Sequence, residues 1–246
     1  MSGLETPPES RRNAEYRWNG AYGPFSLQLA PGVFRPSSTS RVIGDALVVH
    51  PGETVLDVGC GSGLLSFVAA RAGAGRVVGC DVGAAAVACA RDNSRRLGLD
   101  LVTEFRVGNL VEPARDVAAD VLIADVSGVP DAVAAVTGWF PDGRGGGPTG
   151  AEVPIALLHQ IGEQLSSTSR VYLPTGSIQD EEPVLAAARD VFGSRMEPVA
   201  TQEFALPDAV VAAPAVAELI ANQVMRLGAR GSRRTWRLTV WCCARG

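Results

Sequence analysis

The segment Val55-Leu56-Asp57-Val58-Gly59-Cys60-Gly61-Ser62-Gly63 constrains this chain more than any other. An apolar run reaches an acidic residue and then three glycines at alternating positions. Leu64-Leu65-Ser66-Phe67-Val68-Ala69-Ala70-Arg71 follows with the look of a helix. The order is strand, tight turn, helix. A turn of glycines has no Cβ in the way and tolerates positive φ, so a ligand can come close to the backbone.

The spacing of the glycines separates two classes of ligand. A dinucleotide turn reads G-x-G-x-x-G and would place its third glycine at position 64. That position is Leu64, and the third glycine comes one residue early. With Asp57 ahead of it, the turn resembles motif I of the class I S-adenosylmethionine (SAM)-dependent methyltransferases, D-x-G-x-G-x-G. The resemblance implies SAM as cofactor and S-adenosylhomocysteine (SAH) as product. It also implies that Asp57 helps hold the methionine end, with Gly59, Cys60, Gly61 and Gly63 passing beneath the cofactor.

The rest of the chain reads as alternating strands and helices. Strands are expected at 55–58, 77–81, 103–107, 121–125, 170–173, 196–204 and 236–242. Helices are expected at 38–49, 64–72, 84–97, 155–165, 182–192 and 216–227. Apolar strands between helices imply an α/β fold: a Rossmann-like, mainly parallel sheet with helices on both faces. Seven strands match the resembled family, whose last strand runs antiparallel beside the fifth. Residues 13–50 form a separate N-terminal cap segment and helix, with Tyr16, Trp18, Tyr22, Phe25 and Phe34 among glycines and prolines. Residues 51–246 form the methyltransferase domain. Residues 1–12 are polar, lack the apolar core of a signal peptide, and are expected to be a disordered tail.

Strand ends then supply chemistry. Asp81 closes the second strand, where an acceptor-only carboxylate takes hydrogen bonds from two ribose hydroxyls. Nicotinamide folds use an acid in a similar place, so Asp81 alone does not separate the cofactors. Val82 is placed on the adenine face. Gly108-Asn109-Leu110-Val111-Glu112-Pro113 resembles the Gly-Asp-Leu-x-Glu-Pro segment of the release-factor glutamine methyltransferases, with Asn109 in place of the Asp that touches the adenine amine. Val33-Phe34-Arg35-Pro36-Ser37-Ser38-Thr39 resembles their Pro-Arg-Pro-x-Thr segment over the cofactor, which brings in Thr39. Gly146-Gly147-Pro148-Thr149-Gly150 resembles a further glycine stretch of that family. The likeness spans about residues 30–175, and the ribosomal-protein methyltransferases share a similar core.

The acceptor side departs from that family. Its Asn-Pro-Pro-Tyr is replaced by Asp125-Val126-Ser127-Gly128, so glutamine or base methylation is not carried over. Asp125 is expected to orient or deprotonate the acceptor, or to hold the cofactor's ammonium. Ser127 and Tyr22 are expected at the substrate. His159 is a second catalytic candidate, because an imidazole can serve as a general base.

Composition narrows the partners. Net charge is −4, there is no lysine, and the one basic cluster, Arg226, Arg230, Arg233 and Arg234, reads as a solvated loop before the last strand. Nucleic acid is therefore not expected as a partner, and the cap and altered acceptor motif favour a small molecule. A protein side-chain methyltransferase is the alternative; a nicotinamide oxidoreductase or a non-catalytic SAM binder is the reading from another class. Five cysteines show neither disulfide nor zinc spacing, no metal is expected, and no apolar run is long enough to span a membrane. The setting implied is cytoplasmic; the oligomeric state is left open.

Overall fold

A computed structural model describes residues 14–141 and 143–244. The expected tail, residues 1–12, lies outside the described residues. The chain opens with β1 (Ala14–Trp18) and β2 (Phe25–Leu29), an antiparallel hairpin, and α1 (Ser38–Ala46). There follow β3 (Thr54–Val58), α2 (Leu64–Ala72), β4 (Arg76–Asp81), α3 (Ala84–Leu97), β5 (Thr103–Val107) and β6 (Ala119–Ile123). The second half holds α4 (Asp131–Thr137), α5 (Glu152–Leu158), β7 (Leu165–Gly176), α6 (Glu181–Phe192), β8 (Met196–Ala205), α7 (Asp208–Val211), α8 (Pro214–Ala221), β9 (Gly228–Arg230) and β10 (Arg233–Ala244).

The main sheet runs β5-β4-β3-β6-β7-β10-β8, with β9 paired to the start of β10. β3 to β7 are parallel; β10 is antiparallel between β7 and β8. Successive residues feed opposite faces, as a pleated strand requires. Val55, Val77, Val121 and Tyr172 enter one buried cluster, and Leu56, Val78, Leu122 and Val171 enter the other. Both faces being covered, these strands read as continuous apolar runs. After β3 the chain moves outward to β4 and β5, then returns to place β6 on the other side of β3. That reversal opens a crevice at the carboxyl ends of β3 and β6.

The α/β expectation holds, and α2 and α3 fall where the sequence puts them. Four details differ. The aromatics of the segment expected as a cap are not all laid over the surface. The segment contains a hairpin whose Trp18, Phe25 and Leu27 are buried in the first cluster. The side-chain amide of Asn93 on α3 bonds both the N–H and the C=O of Gln28, at 2.8 and 3.0 Å, which docks the hairpin on the body. The helix expected at 155–165 is shorter and earlier, because the chain must turn before a β7 of 12 residues. The helix expected at 216–227 begins at Pro214 and ends at Ala221. Finally, the arginine cluster is not a loop: β9 and the first residues of β10 form a two-stranded ribbon.

Candidate active site

The turn after β3 is fixed from three directions. Gly59 and Cys60 both donate to the Cys80 carbonyl on β4, at 2.8 and 3.0 Å. Gly59 has φ +82°, and a Cβ there would lie 2.7 Å from the Asp125 carbonyl oxygen. Only glycine lets the β3 turn pass that close to the end of β6. Gly63, at φ +89°, starts α2, and a Cβ on it would strike the Phe67 ring at 2.7 Å.

Three carboxylates surround this turn. Asp81 is held at both oxygens by backbone: Oδ2 accepts from Gly61 N–H at 2.8 Å and Oδ1 from Gly83 N–H at 2.7 Å. Each oxygen keeps a further lone pair for a ligand hydroxyl. Asp57 is 1% exposed; Ser66 donates to its Oδ2 at 2.6 Å while Oδ1 has no partner. Burial first, then the Asp125 and Asp81 charges, lift its pKa to about 7 against the Ser66 hydrogen bond. Asp125 lies two residues past β6, not within it, and takes a hydrogen bond from Ser40 Oγ at 3.2 Å. Burial lifts its pKa to about 6, with Ser40 pulling the other way. Burial likewise lifts the Cys80 thiol to about 12 and Cys60 well above its usual range, so both are protonated, inert lining.

A cavity of about 1010 Å3 opens over the turn. Its lining includes Thr39, Asp57, Gly59, Cys60, Gly61, Asp81, Val82, Asn109, Leu110, Asp125 and Ser127. Nearly every residue expected at the cofactor or acceptor is thus brought together; Gly63 stands just behind, supporting the turn. Val82 is 76% exposed at the rim beside Asp81. Two expected residues stand apart from the cavity. Tyr22 is in the hairpin turn with φ +57°, among residues that pack on α1. His159 is an exposed C-cap of α5. Val153, at the other end of that helix, reaches the cavity. Six residues of helical rise, about 9 Å, carry His159 away from it.

Apart from Phe34, whose segment was expected over the cofactor, the remaining lining residues were not legible as site residues. Phe34, from the loop before α1, stacks on Phe140, from the loop after α4, with ring centroids 5.2 Å apart and planes at 29°. The pair joins two walls of the cavity, and Trp139, Phe204 and Trp236 continue the aromatic lining. Gln179 is 4% exposed, lines the cavity, and its Nε2 has no partner; the Ser127 Oγ and Ser62 Oγ are likewise buried and unpaired. A Cβ on Gly128 would lie 2.4 Å from Gln179 Oε1, so the glycine in the altered acceptor motif makes room for that amide. Gln179 lies in the short connection between β7 and α6, where no motif marks it as a site residue.

Of the six buried side-chain polar atoms without partners among the described residues, four belong to lining residues: Asp57, Ser62, Ser127 and Gln179. A buried unpaired group is costly, so their concentration here fits a polar ligand. The acids choose its charge. Three carboxylates at the glycine turn oppose a pyrophosphate and suit an ammonium and a sulfonium, which restores the ionised form of the two raised aspartates. SAM carries both cationic groups, and its ribose matches Asp81. No group of metal-ligating side chains occurs among the described residues. No helix among them is long and apolar enough to cross a membrane.

Comparison with known proteins agrees with this geometry. The family described as Ribosomal protein L11 methyltransferase (PrmA) matches residues 43–128. The ribosomal protein L11 methyltransferase of Burkholderia mallei is 39% identical over 116 residues, covering 44% of this chain and 37% of that protein. The chain therefore spans well under half the length of the curated relatives it matches. Among solved structures, the ribosomal protein L11 methylase of Lactobacillus delbrueckii subsp. bulgaricus gives a TM-score of 0.54 at 16% identity, covering 88% of this chain and 84% of that one. Geranyl diphosphate methyltransferase in complex with SAM gives 0.54 at 16% identity, covering 85% and 84%. The chain has the class I methyltransferase fold. Part of it is related in sequence to the ribosomal protein L11 methyltransferases, the family match running across the glycine turn and through Asp125–Gly128.

Proposed function

We propose that this chain is a SAM-dependent methyltransferase acting on a nitrogen of a protein side chain. The transferase reading is carried by one observation: Asp57, Asp81 and Asp125 converge on a glycine turn that tolerates no Cβ against β6. The same acids, with Leu64 where a dinucleotide turn needs glycine, disfavour the nicotinamide alternative. The names of the relatives favour a protein acceptor over the small molecule expected from the sequence.

Bound in the cavity, SAM would supply an electrophilic methyl group on a sulfonium. The chain's own residues supply the placement. Asp81 would hold the ribose hydroxyls, Val82 and Asn109 the adenine, and Asp57 and the turn the methionine end. Asp125 would face the incoming nitrogen. A carboxylate with a pKa of about 6 is mostly ionised at neutral pH, so it would orient an incoming amine and accept its proton before the freed lone pair attacks the methyl. Ser40 keeps that carboxylate oriented. Holding nucleophile and methyl in line is worth about 7–11 kcal/mol in the best intramolecular systems, and the walls joined by Phe34 and Phe140 exclude water.

One observation favours a second reading, a small apolar acceptor. Phe34, Trp139, Phe140, Phe204 and Trp236 line the cavity beyond Asp125. Isotope-labelled SAM offered with ribosomal proteins, and separately with a low-molecular-weight metabolite fraction, tests both. Label in the protein fraction supports the leading reading. Label only in small molecules transfers the assignment to the second. No SAH binding by calorimetry and no label in either fraction refutes the transferase.

A further inference from the structure

The net charge of −4 hides a strong asymmetry. Ahead of Arg226 stand 16 arginines against 26 acids; from Arg226 to the C-terminus there are six arginines and no acid. Four of the six, Arg226, Arg230, Arg233 and Arg234, are exposed on or beside the β9–β10 ribbon. None of the four has a carboxylate partner among the described residues, whereas Arg237, further along the same strand, is paired with Glu181 at 2.9 Å.

Register makes the cluster more than a solvated face. Arg230 and Arg233 are direct cross-strand partners in β9 and β10. Side chains so opposed leave their strands about 5 Å apart on the same face, and like charges there destabilise the pair. A ribbon built this way gains from a ligand with closely spaced negative charges.

Its position is also specific. β10 runs antiparallel to β7, so its first residues emerge at the carboxyl ends of the parallel strands, the end that carries the cavity. Trp236 and Leu238 of β10 line that cavity, and the Arg226 N–H bonds the Ser177 carbonyl at 2.8 Å, in the turn that leads to Gln179. The arginines therefore stand beside the cavity wall that Trp236 and Leu238 form.

We propose that the β9–β10 ribbon is a docking surface for the phosphate backbone of RNA, which would bring an acceptor carried on or beside RNA to the cavity. Successive phosphates along one strand offer one charge per step and fit paired guanidinium forks. The ribbon's tip, Gly231-Ser232, has no aromatic residue to stack on bases and no apolar residue to enter a bilayer. The contact is therefore to the backbone, independent of sequence. The proposal departs from the composition-based expectation of no nucleic acid, which averages over a segregated charge. The inference rests on the proposed transferase only for the role of the docked RNA; the binding itself needs no cofactor.

The test is fluorescence anisotropy of the full chain with labelled oligouridylate and no SAM. The two arginines that share a face, Arg230 and Arg233, predict a log–log salt slope of about −1.4, hence about sevenfold weaker binding at about 200 mM salt than at about 50 mM. The triple variant Arg230→Gln, Arg233→Gln, Arg234→Gln should bind at least about tenfold more weakly and with a shallower slope. Arg230→Glu should also lose affinity while its melting temperature holds or rises, because Arg233 then faces an opposite charge. Calorimetry with SAH should be unchanged in both variants; failure to bind SAH in the unaltered chain would refute the transferase and leave the RNA surface standing. No RNA binding at low salt, equal binding by the variants, or binding of polyglutamate or phosphatidylglycerol vesicles in place of RNA overturns the proposal.

Discussion

Ser40 Oγ donates a hydrogen bond to Asp125 Oδ2 at 3.2 Å, tying α1 to the end of β6 across 85 positions of sequence. That bond is the one favourable contact holding down the pKa of Asp125 against burial. Ser40→Ala should therefore shift the acidic limb of the kcat profile to higher pH, with little change in SAH affinity. An unshifted limb would show that another group sets it. Asp125→Asn, similar in shape but unable to take a proton, should lower kcat by about 10^2-fold or more; unchanged turnover would remove Asp125 from the chemistry.

Asp81 organises backbone as well as ligand. Asp81→Ala removes the acceptors for Gly61 and Gly83 N–H and the expected ribose contact. SAH affinity should fall at least about 100-fold, since hydrogen bonds to charged groups contribute about 1.5–3 kcal/mol each. Calorimetry decides; retained affinity would place the ribose elsewhere.

The raised pKa values of Asp57 and Asp125 give opposite pH trends for stability and ligand binding. Both groups bind their proton more tightly in the folded chain than in the unfolded one. Their contribution to stability is therefore full below about pH 4 and is lost as pH rises through about 6 to 7. A cationic ligand prefers the ionised form, so SAM affinity should rise by about tenfold or more from pH 5.5 to pH 8 and then level off. A pH-independent affinity would mean that these acids do not face the ligand's cationic groups.

Gln179 Nε2 is a buried donor without a partner, set against Gly128. If it holds an oxygen of the acceptor, Gln179→Met should raise KM for the acceptor by about tenfold and leave SAH affinity untouched, the cost of one lost hydrogen bond. Unchanged acceptor KM would make it a packing residue.

Gly59→Ala combines a positive φ with a Cβ 2.7 Å from the Asp125 carbonyl. It should destabilise the fold by about 2–4 kcal/mol, read as a lower midpoint in urea, and widen the crevice enough to abolish SAH binding. A Gly61→Ala control, with no neighbour closer than 4.0 Å to the added Cβ, should cost less.

The sequence alone determined the cofactor half. Asp57, the alternating glycines and Asp81 are close in sequence, each at the end of an apolar strand, and local geometry converts that spacing into a turn and an anchor. Periodicity likewise set the layers of the sheet, because strands covered on both faces must be apolar throughout. The tertiary structure decided the rest, since it depends on residues distant in the chain. Burial in a hairpin core kept Trp18 and Phe25 out of the cavity lining, and the length of α5 kept His159 out of it. Chain reversal at β3 and β6 brought Ser40 to Asp125 and Phe34 to Phe140. The register of β9 against β10 set Arg230 opposite Arg233, which no local pattern of charge could reveal.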